Sequence, residues 1–211
     1  MNKKTNILIV NDDGIESYGI AKLAAMAANF GDVWVVAPEG QCSGMSQRLT
    51  IFNELNVQER EFPATVRAAY SVSGTPADCV KVALKSLLPV WPDYVFSGIN
   101  AGFNAGYDIA YSGTVGAAME AVLHDIPAIA FSTQHDGSYE ITDKYLMPIA
   151  EELMQKSNAG EIWNVNFPGG QACDFKGIIR GTEAAQSFFF ENDYQKLERD
   201  GKIAVSYTHL R

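Results

Sequence analysis

Apolar positions along the chain fall into short unbroken runs separated by segments of helical period. Ile7 to Val10 (ILIV) is the first run. Apolar residues without polar alternation suit a strand covered on both faces, as in a parallel sheet under helices, and this run is far too short to span a membrane. Asn11, Asp12, Asp13 and Gly14 close it with turn formers. Ile20, Leu23, Ala24, Ala27 and Ala28 then repeat at i, i+3, i+4, i+7 and i+8, the apolar face of a helix. Val33 to Ala37 (VWVVA) is a second buried strand, stopped by Pro38, and the polar loop Glu39 to Arg48 follows it.

The alternation persists. Thr50 to Ala69 is mixed, with Ile51, Leu55 and Val57 pointing to short strands, and Tyr70 to Val72 is a strand leading into Ser73-Gly74-Thr75-Pro76. Thr75 reads as an N-cap with Pro76 at the first helical position. Val80, Ala83, Leu84, Leu87 and Leu88 line that helix, and Pro89 and Pro92 close it. Strand Tyr94 to Phe96 opens into the glycine-rich loop Ser97 to Thr114 (SGINAGFNAGYDIAYSGT). A helix with Val115, Ala118, Met119, Val122 and Leu123 on one face comes next, then strand Ala128 to Phe131. A helix over about Thr142 to Lys156, interrupted by Pro148, and strand Trp163 to Phe167 complete the pattern.

Strands alternating with helices predict an α/β fold, a Rossmann-like, mostly parallel sheet flanked by helices. From Gly169 the pattern changes to longer, more exposed strands, among them Ile203 to Tyr207, with the run Phe188 to Phe190 reading as strand core rather than a base-stacking platform. The expected division is an α/β core over 1–168 and a β-rich C-terminal extension over 169–211 with oligomer contacts.

Composition narrows the function. With 211 residues, 47% of them hydrophobic, the chain can bury one core with an elaboration. A formal charge of −9 argues against a nucleic-acid polymer or an anionic membrane as partner, and a phosphorylated substrate would need a local positive element. Cys42, Cys79 and Cys173 are odd in number and unpaired by any CxxC, as expected of reduced thiols in a cytoplasmic protein. The start MNKKTN, followed by so short an apolar run, does not read as a signal peptide.

Candidate chemistry lies in the loops after the strands, the edge where open α/β sheets bind ligands. Adjacent carboxylates at Asp12 and Asp13 repel each other unless something positive lies between them. They suit either helix capping or a divalent cation, and their place after a buried first strand favours the cation. Ser112-Gly113-Thr114 opens a helix whose free N–H groups and dipole favour an anion, or it is a simple N-cap. Cys42 reads as a bystander. His124, His135 and His209 read as surface or supporting residues, His135 alone following a strand at the same sheet edge.

Taken together, NDDG after the first strand, Ser43-Gly44, SGTPADCV (Ser73 to Val80), SGIN (Ser97 to Asn100) and YSGTVGAAMEA (Tyr111 to Ala121) resemble the SurE family of metal-dependent 5′/3′-nucleotidases. The resemblance covers Asn6 to Phe167 in order. It implies a metal site of Asp12, Asp13, Ser43 and Asn100, whose hard oxygen donors suit one Mg²⁺ or Mn²⁺ per subunit. It also implies phosphate contacts at Asn104, Ser112, Gly113 and Thr114. The expected reaction is hydrolysis of nucleoside 5′- and 3′-monophosphates, with short polyphosphate as a further candidate substrate, in a homodimer or homotetramer. Asp12 and Asp13 are expected to act as ligands, with one of them open to orienting or deprotonating the water.

Other readings fit less well. A receiver domain needs an aspartate where Tyr94 to Phe96 runs into Ser97-Gly98-Ile99-Asn100, and a haloacid-dehalogenase-type phosphatase needs Asp-x-Asp rather than Asp-Asp. The alternative that stays open is a non-catalytic nucleotide-binding or sensing module with the same pocket.

Overall fold

The structure, a computed structural model, describes residues 4–135, 138–190, 192–199 and 202–209. In chain order the core elements are β1 (Thr5–Val10), α1 (Tyr18–Ala27), β2 (Gly31–Pro38), β3 (Val57–Glu59), β4 (Ala68–Val72), α2 (Pro76–Val82), β5 (Tyr94–Ala101), α3 (Gly113–Val122), β6 (Ala128–Thr133), α4 (Glu140–Lys156) and β7 (Ile162–Phe167). A π-helical turn, Ala83–Leu87, extends α2, and a 3₁₀ turn, Tyr107–Tyr111, precedes α3. The strands form one seven-stranded sheet in the order β3-β4-β2-β1-β5-β6-β7. Every pairing is parallel except that of β3 with β4.

Strand alternation divides the core into two layers. Ile7, Ile9, Phe96, Ile129 and Phe131 face one way, under Ile20 and Leu23 of α1 and Ile141, Leu146 and Leu153 of α4. Leu8, Val10, Val95, Ala128 and Ala130 face the other way, under Cys79 and Val80 of α2 and Val115, Ala118 and Ala121 of α3. With both faces covered, β1 is buried from Ile7 to Val10, as its unbroken apolar run requires. The chain leaves β1 towards β2 on one side and meets β5 on the other. The strand order therefore reverses between β1 and β5, the switch point at which such sheets bind ligands.

Several expectations change. The strand expected over Tyr94 to Phe96 continues to Ala101, so SGIN belongs to β5 rather than to a loop. Its pairing with β6 shifts register between Ser97 and Asn100, and that irregularity lets a glycine-containing segment remain in the sheet. On α3 the buried apolar side chains are Val115, Ala117, Ala118 and Ala121, whereas Met119 (46%) and Leu123 (71%) face solvent. The small alanines, not the larger side chains, allow close packing against the sheet and α2. Between Thr50 and Ala69 the strands are Val57–Glu59 and the first two residues of β4, and Ile51 is exposed. Pro148 sits inside α4 on its exposed side, where the lost backbone bond faces water, and the helix starts earlier than expected, at Glu140. Thr75 does cap α2: its side chain accepts from Asp78 N, while the Asp78 carboxylate accepts from Thr75 N, a complete capping box.

Beyond β7 the chain runs irregularly to about residue 190 and then forms an antiparallel hairpin of β8 (Asn192–Arg199) and β9 (Lys202–His209). The hairpin accounts for the β-rich extension and contains the expected strand Ile203 to Tyr207. Phe188 to Phe190 is not strand core. It precedes the hairpin, and Phe188 and Phe189 are about half exposed.

Candidate active site

Asp12 sits where β1 ends and is almost fully buried. Its Oδ1 accepts a 2.5 Å hydrogen bond from the Thr114 hydroxyl, in the first turn of α3. Gly113 lies directly against it. A Cβ built on Gly113 would stand 2.9 Å from Asp12 Cβ and 3.1 Å from Oδ2, so only glycine permits this approach. The backbone reinforces the contact, since Cys42 N donates to Asp12 O at 2.7 Å and so holds the loop after β2 beside the loop after β1.

Asp13 is turned towards β5, where its Oδ2 accepts from Ala101 N at 3.0 Å. The neighbouring Asn100 donates from Nδ2 to Gly102 O at 2.8 Å, which commits its donor end and leaves its carbonyl oxygen as the ligand-type atom. The two aspartates thus reach different neighbours from one turn: Asp12 the head of α3, Asp13 the end of β5. That divergence is how the switch point brings loops distant in sequence to one edge.

Burial pushes the Asp12 carboxyl up to about 6, aided by the negative charge of Asp13 and opposed by the hydrogen bond from Thr114. Asp13 is also raised by burial, against the Ala101 amide and the electrostatic influence of His135. A buried carboxylate beside a half-buried one, lacking a cationic partner strong enough to offset burial, has the electrostatics of a cation site. Among the described residues no three His, Cys, Asp or Glu side chains gather in a metal-binding group. A cation at Asp12 and Asp13 would therefore complete its shell with neutral oxygens and water, as hard divalent ions accept. The donor set fits Mg²⁺ or Mn²⁺.

Of the other residues expected at the site, Ser43 is exposed in the loop tied to Asp12 through Cys42. Ser112 is the N-cap of α3, its Oγ accepting from Val115 N at 3.1 Å. The hydroxyl of Thr114 is committed to Asp12. Asn104 is drawn towards β6 and β7: its Nδ2 donates to Ser132 Oγ at 2.8 Å, and the side chains of Asn164 and Asn166 both donate to its backbone carbonyl oxygen. The structure thus gathers Asp12, Asp13, Asn100, Gly113 and Thr114 closely, with Ser43 and Ser112 alongside, and places Asn104 across β5 from Asp12.

Sequence reading missed what holds these loops. Gln47 Nε2 donates to the buried Glu120 at 2.9 Å, and Glu120 also binds Lys81. Thr50 N donates to the buried Asp78 at 3.0 Å. Two buried carboxylates thereby fasten the loop that carries Ser43 to α2 and α3. The asparagines of NVNF were legible in principle, because i and i+2 positions of a strand share a face. Tyr139 also faces the site, where burial and the charge of Asp13 raise its phenol.

The thiol of Cys42 is pushed up by burial and by Asp12, as befits a bystander rather than a nucleophile. His124 Nε2 stands 3.3 Å from Glu120 Oε1 without hydrogen-bond geometry, remote from the aspartates along α3. The side chain of His209 lies outside the described residues.

A family model described as survival protein SurE matches residues 7–189. A 5′-nucleotidase SurE of Clostridium botulinum (strain Kyoto / Type A2) is 43% identical over 178 residues, covering 82% of this chain and 70% of its own length. The 5′-nucleotidase SurE 1 of Chlamydia caviae is 42% identical over 183 residues, covering 81% of this chain and 64% of that one. The crystal structure of the SurE protein from Aquifex aeolicus superimposes with a TM-score of 0.79 at 34% identity, covering 97% of this chain and 82% of that chain.

Proposed function

This chain belongs to the SurE family, and on that premise we propose that it is a metal-dependent nucleotidase. It hydrolyses nucleoside 5′- and 3′-monophosphates to nucleoside and phosphate, with short polyphosphate as a further substrate. The observation that carries this reading is the buried Asp12 carboxylate seated against Thr114 and Gly113 at the head of α3, with Asp13 beside it.

Asp12, Asp13, Ser43 and Asn100 would hold one Mg²⁺ or Mn²⁺. Bound there, the cation supplies positive charge that polarises a phosphoryl oxygen and acidifies a water. Thr114 orients Asp12 by its hydroxyl, and Ala101 N orients Asp13. Ser112 caps α3 and so fixes the direction of the helix head, whose positive end favours the phosphate. Asn104, on its amide cluster, and Gly113 complete the phosphate contacts in this proposal.

The 169–211 extension is proposed as a unit distinct from the 1–168 core and as the seat of homodimer or homotetramer contacts, and a cytoplasmic location is proposed with it. Among the described residues no helix is long and apolar enough to cross a membrane.

The test is phosphate release from a panel of 5′ and 3′ nucleoside monophosphates with Mg²⁺ or Mn²⁺, then with EDTA. Release that EDTA removes and metal restores supports the proposal. Nucleotide binding without release under any metal would favour the non-catalytic module.

A further inference from the structure

The three-phenylalanine run is built into the rim of this site in a way the proposed chemistry does not use. The 3₁₀ turn Tyr107–Tyr111 ends directly at Ser112, the cap of α3. The segment before the terminal hairpin is fastened along that turn. Tyr107 N donates to Ser187 O at 2.9 Å, and the Asp108 carboxylate accepts from the backbone of both Phe189 (2.6 Å) and Phe190 (3.0 Å). Gly106, at φ +56°, makes the docking possible, because a Cβ there would lie 2.1 Å from Ser187 O.

The clamp does not bury the rings it brings together. Tyr107, Tyr111 and Phe188 stay 49%, 53% and 55% exposed. Phe188 meets the Tyr107 ring edge-on at 5.4 Å and lies nearly parallel to Tyr111, 16° between planes and 6.5 Å between centroids. With each of the three rings about half exposed, ring surface remains open to a planar ligand. The other side of Tyr111 is fixed as well. Its carbonyl accepts from Ser46 N at 3.0 Å, and Ser46 Oγ donates to Ala110 O at 2.6 Å, in the loop that carries Ser43.

We propose that Tyr111, Phe188 and Tyr107 form the stacking platform for the nucleobase of the substrate. The proposal rests on the nucleotidase reading, since it takes the phosphate of the same molecule to sit at the head of α3. Continuity selects the occupant: a planar group tethered to that phosphate meets these rings first, because Tyr111 adjoins Ser112. Stacking is tolerant of base identity, as every base has a π-face, so the platform favours nucleotides over base-free phosphate esters without choosing strongly among bases.

The test compares adenosine 5′-monophosphate with ribose 5-phosphate, by steady-state kinetics with Mn²⁺ and by titration calorimetry of each ligand. Wild-type protein, Phe188→Ala and Phe188→Trp are used, with molar mass followed by light scattering. The expected result is a KM and Kd for the nucleotide about tenfold higher in Phe188→Ala, the scale of one lost base–aromatic stack. Ribose 5-phosphate changes less than twofold, and Phe188→Trp recovers the nucleotide value. Equal effects on both ligands, no effect on either, or a change of oligomeric mass without a change in ligand preference would overturn the platform. Failure of the nucleotidase reading looks different: neither ester is hydrolysed by wild-type protein, and the calorimetric ratio then decides the platform by itself.

Discussion

Replacing Asp12 by asparagine should stabilise the metal-free protein. In the folded state Asp12 titrates at about 6 rather than at its ordinary 3.8, because burial disfavours its charged form. Between those values the native state binds more protons than the unfolded chain, so stability falls as pH rises through that window. The difference of about 2 units, at about 1.36 kcal/mol each, puts the full cost near 3 kcal/mol at neutral pH. The substituted amide keeps an acceptor for the Thr114 hydroxyl but accepts more weakly than a carboxylate, so a net gain of about 1–2 kcal/mol is expected. In a domain of this size that raises Tm by about 2–8 °C. Thermal melts of wild type and Asp12→Asn in EDTA, from pH 4 to pH 8, would show it. The variant should melt below wild type near pH 4, where Asp12 is protonated and removing its charge gains nothing, and above it by pH 7. Saturating Mn²⁺ should then reverse the order, since a ligand at a hundredfold excess over Kd stabilises the form that binds it by about 2.7 kcal/mol. A variant that melts at or below wild type in EDTA at pH 7.5 would refute the buried-charge argument. The same variant should have no nucleotidase turnover, so stability and activity move in opposite directions at one atom.

Three further substitutions probe the neighbourhood. Thr114→Val preserves shape but leaves Asp12 without its hydroxyl donor, and should lower kcat by at least about tenfold while the fold, followed by circular dichroism, is retained. Gly113→Ala places a methyl within 3 Å of the Asp12 side chain and should cut kcat/KM by more than tenfold, whereas alanine at the unhindered Gly40 should not. Glu152 is held down to about 2 by Arg180 and Lys156, so the tie between α4 and the segment after β7 is complete above about pH 4.5 and is lost as pH falls towards 2. Pepsin cleavage near Arg180 should accelerate across that window in wild type, and Arg180→Ala should be cut readily already at pH 4.5.

The fold was legible where local pattern and tertiary environment agree. Ile7 to Val10 read as a strand because a run buried on both faces has nothing else to do, and Thr75-Pro76 read as a helix start because a cap and a fixed φ act locally. Periodicity failed on α3, where close packing selected alanines and left Met119 and Leu123 in solvent. It failed again at SGIN, because glycine and serine read as loop while β6 pairs with Ser97, Asn100 and Ala101 and so carries the strand past the end of β1.

The acidic pair was visible as a sequence motif, but its division of labour was not. That Asp12 turns to Thr114, 102 positions away, and Asp13 to Ala101, 88 away, is set by the strand order at the switch point. The amide cluster around Asn104 and the carboxylates of Glu120 and Asp78 escaped for the same reason: each links elements that only the topology makes neighbours.

Whether Asp12 and Asp13 hold a divalent cation is decided by titrating the protein with Mn²⁺ and following the free ion by electron paramagnetic resonance. One saturable ion per wild-type chain is expected, and none in the Asp12→Asn, Asp13→Asn double variant at the same concentrations. A double variant that still takes up one ion as tightly as wild type, or a wild type that takes up none, would contradict the assignment.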